Sequence, residues 1–257
     1  LAVARVSLSA SEPLSEQVNR RAIEVPYPGL ASFSHNHKVE KASAAPNLPL
    51  KFFNGVGGFS QDGKEYAIIL NKDQWTPAPW INVIGNGLGF GFQVSEAGSG
   101  FTWSINSQSN RLTPWSNDPV SEPSGEVIYI RDDETGEIWT PTPLPIRSQN
   151  SYTIKHGQGY TSFDHFDHGI EHSLKLFVPK EDTVKISLLI LKNLSSRKRK
   201  LSIISYTEWV LGTRREKTAP YLICDIDKES GAIFAKNPHD NEFSNQISFA
   251  DISQINR

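Results

Sequence analysis

Trp75, Trp80, Trp103 and Trp115 fall between Gln74 and Pro119 and are interleaved with Asn82, Asn86, Asn106, Asn110, Arg111, Asn117 and Asp118. The chemistry this mixture suits is sugar recognition. A pyranose ring has an apolar C–H face that packs on an indole, and hydroxyls that need paired donors and acceptors, which amides, guanidinium and carboxylate supply. Proline beside the indoles, in Thr76-Pro77-Ala78-Pro79-Trp80 and Leu112-Thr113-Pro114-Trp115, predicts rigid loops rather than strand interiors. A preformed loop lowers the ordering cost of binding. Trp103, Asn110, Arg111, Trp115, Asn117 and Asp118 are the candidate sugar contacts. The competing reading is that the tryptophans fill the core and the asparagines make turns; their concentration in one segment favours the first.

Other chemistry-bearing stretches are weaker. Phe163-Asp164-His165-Phe166-Asp167-His168-Gly169-Ile170-Glu171-His172 sets three histidines among carboxylates, but the spacing does not match a helical HExxH site, and a strand would point His165 and His168 to opposite faces. His172 is expected to face the core as a hydrogen-bonded histidine, with the others at a turn. No metal site is assigned. The run Gly85-Asn86-Gly87-Leu88-Gly89-Phe90-Gly91 fits a hairpin better than a nucleotide loop. Arg197-Lys198-Arg199-Lys200 reads as a solvated turn, as do Asp132, Asp133 and Glu134. No residue is assigned a catalytic role.

The elements that must position these residues are strands. From Phe52 onward short aromatic and β-branched runs alternate with Gly, Pro, Asn and Asp. Ile170, His172, Leu174, Leu176 and Val178 alternate with Glu171, Ser173, Lys175 and Phe177. The runs Val184 to Leu191 and Leu201 to Leu211 follow, and the three are expected to pair consecutively in antiparallel order. Further strands are expected at Glu65 to Leu70, Ile81 to Ile84, Phe90 to Ser95, Phe101 to Ile105, Glu126 to Arg131, Ser151 to His156, Tyr221 to Asp225 and Ala232 to Ala235. So many strands require two packed layers. The fold class is all-β, a large two-sheet antiparallel β-sandwich over residues 51–257. Residues 1–50 read as a linker or extended arm, with a short helix from Ser15 to Ile23.

The chain has 257 residues and a formal net charge of -2 with both signs interspersed, which argues against nucleic acid or an anionic membrane as partner. Its lone cysteine, Cys224, lies in an apolar run, so core packing and a reducing compartment are expected. No apolar stretch approaches the roughly 18 residues that span a bilayer, and no signal peptide opens the chain. A soluble chain is expected. It begins at Leu1 and lacks methionine, which predicts an internal piece of a longer chain.

Several motifs in order carry a resemblance: Phe52 to Phe59 (Phe-Phe-Asn-Gly-Val-Gly-Gly-Phe), Trp75 to Ile84, Asn110 to Pro119 (Asn-Arg-Leu-Thr-Pro-Trp-Ser-Asn-Asp-Pro), Thr140 to Arg147, His156 to Tyr160 and Tyr206 to Gly212. Together they resemble the C-terminal region of cyclic β-1,2-glucan synthases, which is similar to the glycoside phosphorylases of glycoside hydrolase family 94, that of cellobiose phosphorylase. The resemblance spans roughly Leu50 to Asp251. It implies a galactose-mutarotase-like supersandwich whose loops approach a sugar cleft, followed in the family by a helical linker and an (α/α) barrel. That barrel carries the general-acid aspartate and the phosphate-binding residues, so this chain alone is expected to be inactive. Phosphate is implied as a co-substrate, with no cofactor. The implied partners are a β-1,2-glucan or gluco-oligosaccharide, the (α/α) barrel of the same chain and a second subunit in a homodimer. The implied parent is a bacterial inner-membrane synthase using UDP-glucose, with this region on the cytoplasmic side trimming linear chains by phosphorolysis. Two alternatives stay open: a mutarotase-like epimerase using His168 or His172 with Glu171 or Glu208, and a scaffold that docks the barrel or a dimer mate.

Overall fold

The structure, a computed structural model, describes residues 13–19, 48–115 and 123–253. The chain divides into two units, residues 1–36 and 37–257. In the first, the described element is helix α1 (Leu14–Asn19), which overlaps the helix expected from Ser15 to Ile23. The second is built of antiparallel strands. In chain order they are β1 (Gly57–Phe59), β2 (Glu65–Leu70), β3 (Ile81–Gly85), β4 (Gly91–Ser95), β5 (Gly100–Trp103), β6 (Glu126–Asp132), β7 (Ile138–Trp139), β8 (Tyr152–Gly157), β9 (Tyr160–Asp167), β10 (Ile170–Phe177), β11 (Ile186–Asn193), β12 (Leu201–Thr207), β13 (Ile223–Ile226), β14 (Ile233–Lys236) and β15 (Ser248–Ala250). A short helix α2 (Arg215–Thr218) lies between β12 and β13.

A six-stranded sheet in the order β1-β2-β8-β9-β10-β11 is the base layer. Alternation along β10 buries Ile170, His172, Leu174 and Leu176 and exposes Glu171 and Lys175, because successive side chains leave a pleated strand on opposite faces. On the buried face Ile68, Leu70, Ile154, Phe163 and Leu174 pack against Ile84, Phe92 and Val94 of the sheet β3-β4-β5. Farther along, Ile170 meets Ile130 and Trp139 of the sheet β12-β6-β7. The second layer is thus divided between separate three-stranded sheets, with β13-β14-β15 forming another. The all-β sandwich is as expected, and the glycine-rich run makes the β3–β4 hairpin, with Gly85 opposite Gly91.

Four expectations are corrected. β12 does not continue the β10–β11 meander; it pairs with β6, Leu201 opposite Asp132. The cause lies in the basic run. Arg199 is only 4 % exposed at its side chain, and it and Arg197 both bind the buried Asp132 carboxylate, at 2.7 and 2.8 Å, which draws the chain across to β6. Neither Asp132 nor Arg199 is therefore part of a solvated turn. Asp132 also accepts the Glu134 and Thr135 backbone N–H groups. Burial acts to raise its pKa, but these donors and the two guanidiniums outweigh it and hold the value at about 2. His165 lies inside β9, not at a turn. Cys224 is exposed on β13 rather than buried.

Candidate functional site

The segment 110–115 is fastened to its surroundings from three directions. Arg111 and Gly212 exchange both backbone hydrogen bonds, and Val210 N–H donates to Leu112 O, so the chain after β12 runs alongside. From below, Thr113 Oγ accepts Thr102 N–H and donates to Glu126, which also takes the Thr102 hydroxyl and the Lys185 ammonium. Burial would raise the Glu126 pKa; the Lys185 charge and the hydroxyl donors reverse that, so the carboxylate is a fixed anionic hub. Gly125 makes room for Pro114, whose Cγ would sit 2.3 Å from any Cβ there.

On this base an aromatic and cationic cluster forms. Phe101 is buried at the floor, with the Trp115 ring 4.8 Å and the Trp103 ring 5.3 Å from it. Trp103 can lie across β4 because Gly91 is beneath it; a Cβ there would meet the indole at 2.6 Å. The Arg111 guanidinium lies 5.4 Å from the Trp115 ring and 5.6 Å from Phe101. It donates to Ser107 O and Thr213 O, which fixes its plane. Trp115 stays 40 % exposed. It forms, with Arg111, Pro114, Thr213, Arg214 and Arg215, the wall of an open cleft of about 640 Å³. Partial burial, then the nearby Arg214 charge, lowers the Arg111 pKa.

Of the expected contacts, the structure brings Trp103, Arg111 and Trp115 together. Asn110 is only 3 % exposed and donates its amide to Gln246 Oε1, so it is placed to brace the loop rather than to reach a ligand in this arrangement. Asn117 and Asp118 lie outside the described residues. Trp80 packs against the core, with its backbone N–H donated to the Glu96 carboxylate, while Trp75 lies under the Arg147 guanidinium at 4.7 Å. The arginines 214 and 215 were not anticipated. The sequence signal is the basic pair in Gly212-Thr213-Arg214-Arg215.

The histidines gather elsewhere. His172 and His165 are cross-strand partners with stacked rings 5.5 Å apart, and Trp139 Nε1 donates to His172 Nε2 at 2.7 Å. His168 has φ 50° in the β9–β10 turn, which swings its ring onto Trp139. His172 thus faces the core with a hydrogen-bond partner, as expected. The epimerase pairing is not assembled: Glu171 leaves the opposite face of β10 toward Lys192, and Glu208 is tied to Arg215 at 3.1 Å. Among the described residues no group of three His, Cys, Asp or Glu side chains is arranged to hold a metal ion, and no helix is long and apolar enough to cross a membrane.

Residues 64–257 match the family model described as glycosyl hydrolase 94, supersandwich domain. The chain is 40 % identical over 201 residues to the cyclic beta-(1,2)-glucan synthase NdvB of Rhizobium meliloti (strain 1021), covering 78 % of this chain and 7 % of that protein. It is 31 % identical over 156 residues to the N,N'-diacetylchitobiose phosphorylase of Vibrio proteolyticus, 60 % of this chain and 19 % of that one. Against the solabiose phosphorylase of Paenibacillus borealis it is 30 % identical over 187 residues, 71 % and 24 % respectively. The chain therefore spans less than a quarter of the length of each of these relatives.

Proposed function

Because the chain belongs to the glycosyl hydrolase 94 supersandwich family, we propose that it is the carbohydrate-facing sandwich of a cyclic β-1,2-glucan synthase, contacting the glucan at the cleft of Arg111 and Trp115, with Trp103 packed on Phe101 beside it. The observation that carries this reading is the Arg111 guanidinium lying against Trp115 in an open cleft. An exposed indole offers the C–H face of a pyranose a flat apolar partner, and an oriented guanidinium offers its hydroxyls several donors. Both are braced by backbone pairing with Gly212 and by the Glu126 hub, so little ordering is left for binding. In the whole protein the domain would help a phosphorylase-type region control glucan chain length. Protonation of the glycosidic oxygen by a general acid and attack of phosphate on the anomeric carbon would be the chemistry there, with the acid supplied by an (α/α) barrel rather than by residues described above.

The test is calorimetric titration with linear β-1,2-gluco-oligosaccharides, with β-1,4 oligomers as control. Saturable, linkage-selective binding is expected, and Trp115→Ala should weaken it about tenfold, ~1.4 kcal/mol. Arg111→Ala should weaken it by a similar factor. Unchanged affinity in both variants would remove the assignment.

A second reading, a scaffold that docks the barrel or another subunit, is favoured by one observation. Large apolar side chains stand exposed on several strands: Leu188 and Ile190 on β11, Ile203, Ile204 and Tyr206 on β12, Ile223 and Ile226 on β13, and Phe234 and Phe249 on β14 and β15. Apolar surface of this extent marks interaction faces.

A further inference from the structure

We propose that Asn237 is a positioning residue for the cleft: from the connection between β14 and β15 it holds the Leu211–Gly212 corner, and through that corner it sets the Arg111 guanidinium. This rests on the reading of the cleft as a carbohydrate site. Leu211 is buried and has φ 44°, a left-handed backbone conformation that crowds any residue with a Cβ and is rare for a bulky side chain. Such a conformation persists only where surrounding contacts over-determine it, and it recurs at ligand clamps.

The corner is held on both sides and at its own carbonyl. Val210 N–H donates to Leu112 O before it, and Gly212 exchanges both backbone hydrogen bonds with Arg111 after it. The Leu211 carbonyl itself accepts the Asn237 side-chain amide at 2.9 Å. Asn237 is buried, and its amide oxygen accepts the His239 N–H while its backbone carbonyl accepts the Asp240 N–H, so the donor is aimed before it meets Leu211. The space beside the corner is full. A Cβ at Gly212 would come 2.7 Å from Thr218 Cγ2, with Asp240 Oδ2 and Asn237 Nδ2 at 3.8 and 3.9 Å.

What lies beyond the corner is the cleft. Thr213 O accepts the Arg111 guanidinium at 3.2 Å, and Thr213, Arg214 and Arg215 line the cleft with Trp115. The backbone at Leu211 therefore governs Arg111 twice, through the main-chain pairing with Gly212 and through the side-chain bond to Thr213. The same β14–β15 connection reaches the opposite arm at Gln246, whose Oε1 accepts the Asn110 amide at 3.0 Å. One connection thus grips both segments that wall the cleft. Released from Asn237, Leu211 relaxes toward an ordinary φ, and Gly212, Thr213 and Arg111 shift together away from the indole.

The experiment uses the intact chain carrying Asn237→Asp, which keeps the acceptor for His239 N–H and removes the donor to Leu211 O. Amide exchange at Arg111 and Gly212 should quicken about tenfold, the effect of one lost hydrogen bond, with exchange in β8, β9 and β10 unchanged. Affinity for a linear β-1,2-gluco-oligosaccharide, measured by calorimetry, should fall about tenfold as well. Asn237→Ala should act alike, which separates the lost donor from the added charge. Leu211→Gly, added to Asn237→Asp, should restore most of the affinity and of the exchange protection, because glycine takes the left-handed backbone without an anchor. A side chain that only contributed stability would give additive losses instead. Parent-like exchange at Arg111 and Gly212 in Asn237→Asp, or losses that add in the double variant, overturns the proposal. If the parent chain binds no oligosaccharide, the carbohydrate reading falls, and exchange with its rescue by Leu211→Gly decides the role of Asn237. Binding that is weakened by Trp115→Ala but indifferent to Asn237→Asp leaves the carbohydrate reading standing and removes Asn237 from it.

Discussion

His172 shows how a single buried group couples this fold to pH. It accepts a bond from Trp139, stacks on His165, and lies across from Leu191 of β11, with Asp167 and His168 in the neighbouring turn. Burial, followed by the neighbouring His165, lowers its pKa to about 3. Its folded value lies below the ordinary 6.5, so as pH falls the unfolded chain takes up the proton first. The resulting stabilisation is complete above pH 6.5 and is lost progressively toward pH 3. At pH 5 the loss from this residue amounts to about 2 kcal/mol. Asp132 and Asp167, both held at about 2, keep their contributions until pH falls below the usual 3.8, so they do not act in this window. His156, buried and lowered in the same direction, does. Urea unfolding of the protein and of His172→Gln between pH 7 and pH 5 isolates the term: the variant should be less stable at pH 7 and show a shallower fall. Parallel curves would assign the pH dependence to other groups.

At the scale of elements, two carboxylates decide which strands meet. Asp132 ends β6 and gathers Arg197 and Arg199 from the β11–β12 connection, so β12 leaves the large sheet and pairs with β6. Asp132→Asn would leave Arg199 buried beside a neutral amide. Breaking a buried pair from one side costs about 3–5 kcal/mol, and amide exchange should show the loss concentrated on the β12–β6 hydrogen bonds; uniform loss across the large sheet would contradict this account. Glu126 acts likewise at the other end of β6, tying Thr102 of β5, Thr113 of the cleft loop and Lys185 before β11. The cleft loop thus inherits rigidity from the sandwich beneath it. Alternation in β10 was legible in the sequence because that strand has one buried face. β9 was not, because Asp164, His165 and Asp167 interrupt its apolar pattern with groups whose partners, Ser173 of β10 and Ser151 and Asn150 just before β8, lie elsewhere in the chain.

For the molecule as a whole, the large sheet is covered on one face while β11 to β15 carry exposed apolar side chains. Their exposure predicts concentration-dependent self-association of this 257-residue chain. Replacing Ile223 and Ile226 together by Lys should reduce it in sedimentation velocity. A chain that stays monomeric throughout the micromolar range would remove a second subunit as the partner of these faces and leave the barrel as what they dock. Cys224 lies on this same strand β13. An apolar run predicts burial only when something covers it, and that is a property of the neighbouring elements.

The sequence by itself determined that the protein is all-β, where most strands run, that the glycines 85–91 turn a hairpin, and which family the chain belongs to. Those features depend on local periodicity, turn chemistry and ordered motifs. It also placed Trp103, Arg111 and Trp115 among its candidate sugar contacts, because indoles, amides and a guanidinium are concentrated in one segment. Only the tertiary structure decided that Asn110 braces the loop from within, that Arg214 joins Arg111 at the cleft, and that Asp132 and Arg199 are buried partners rather than solvated turns. Each of these depends on which segments, tens of residues apart, come to lie side by side. Pairing between distant strands is set by the whole packing, and no local pattern encodes it.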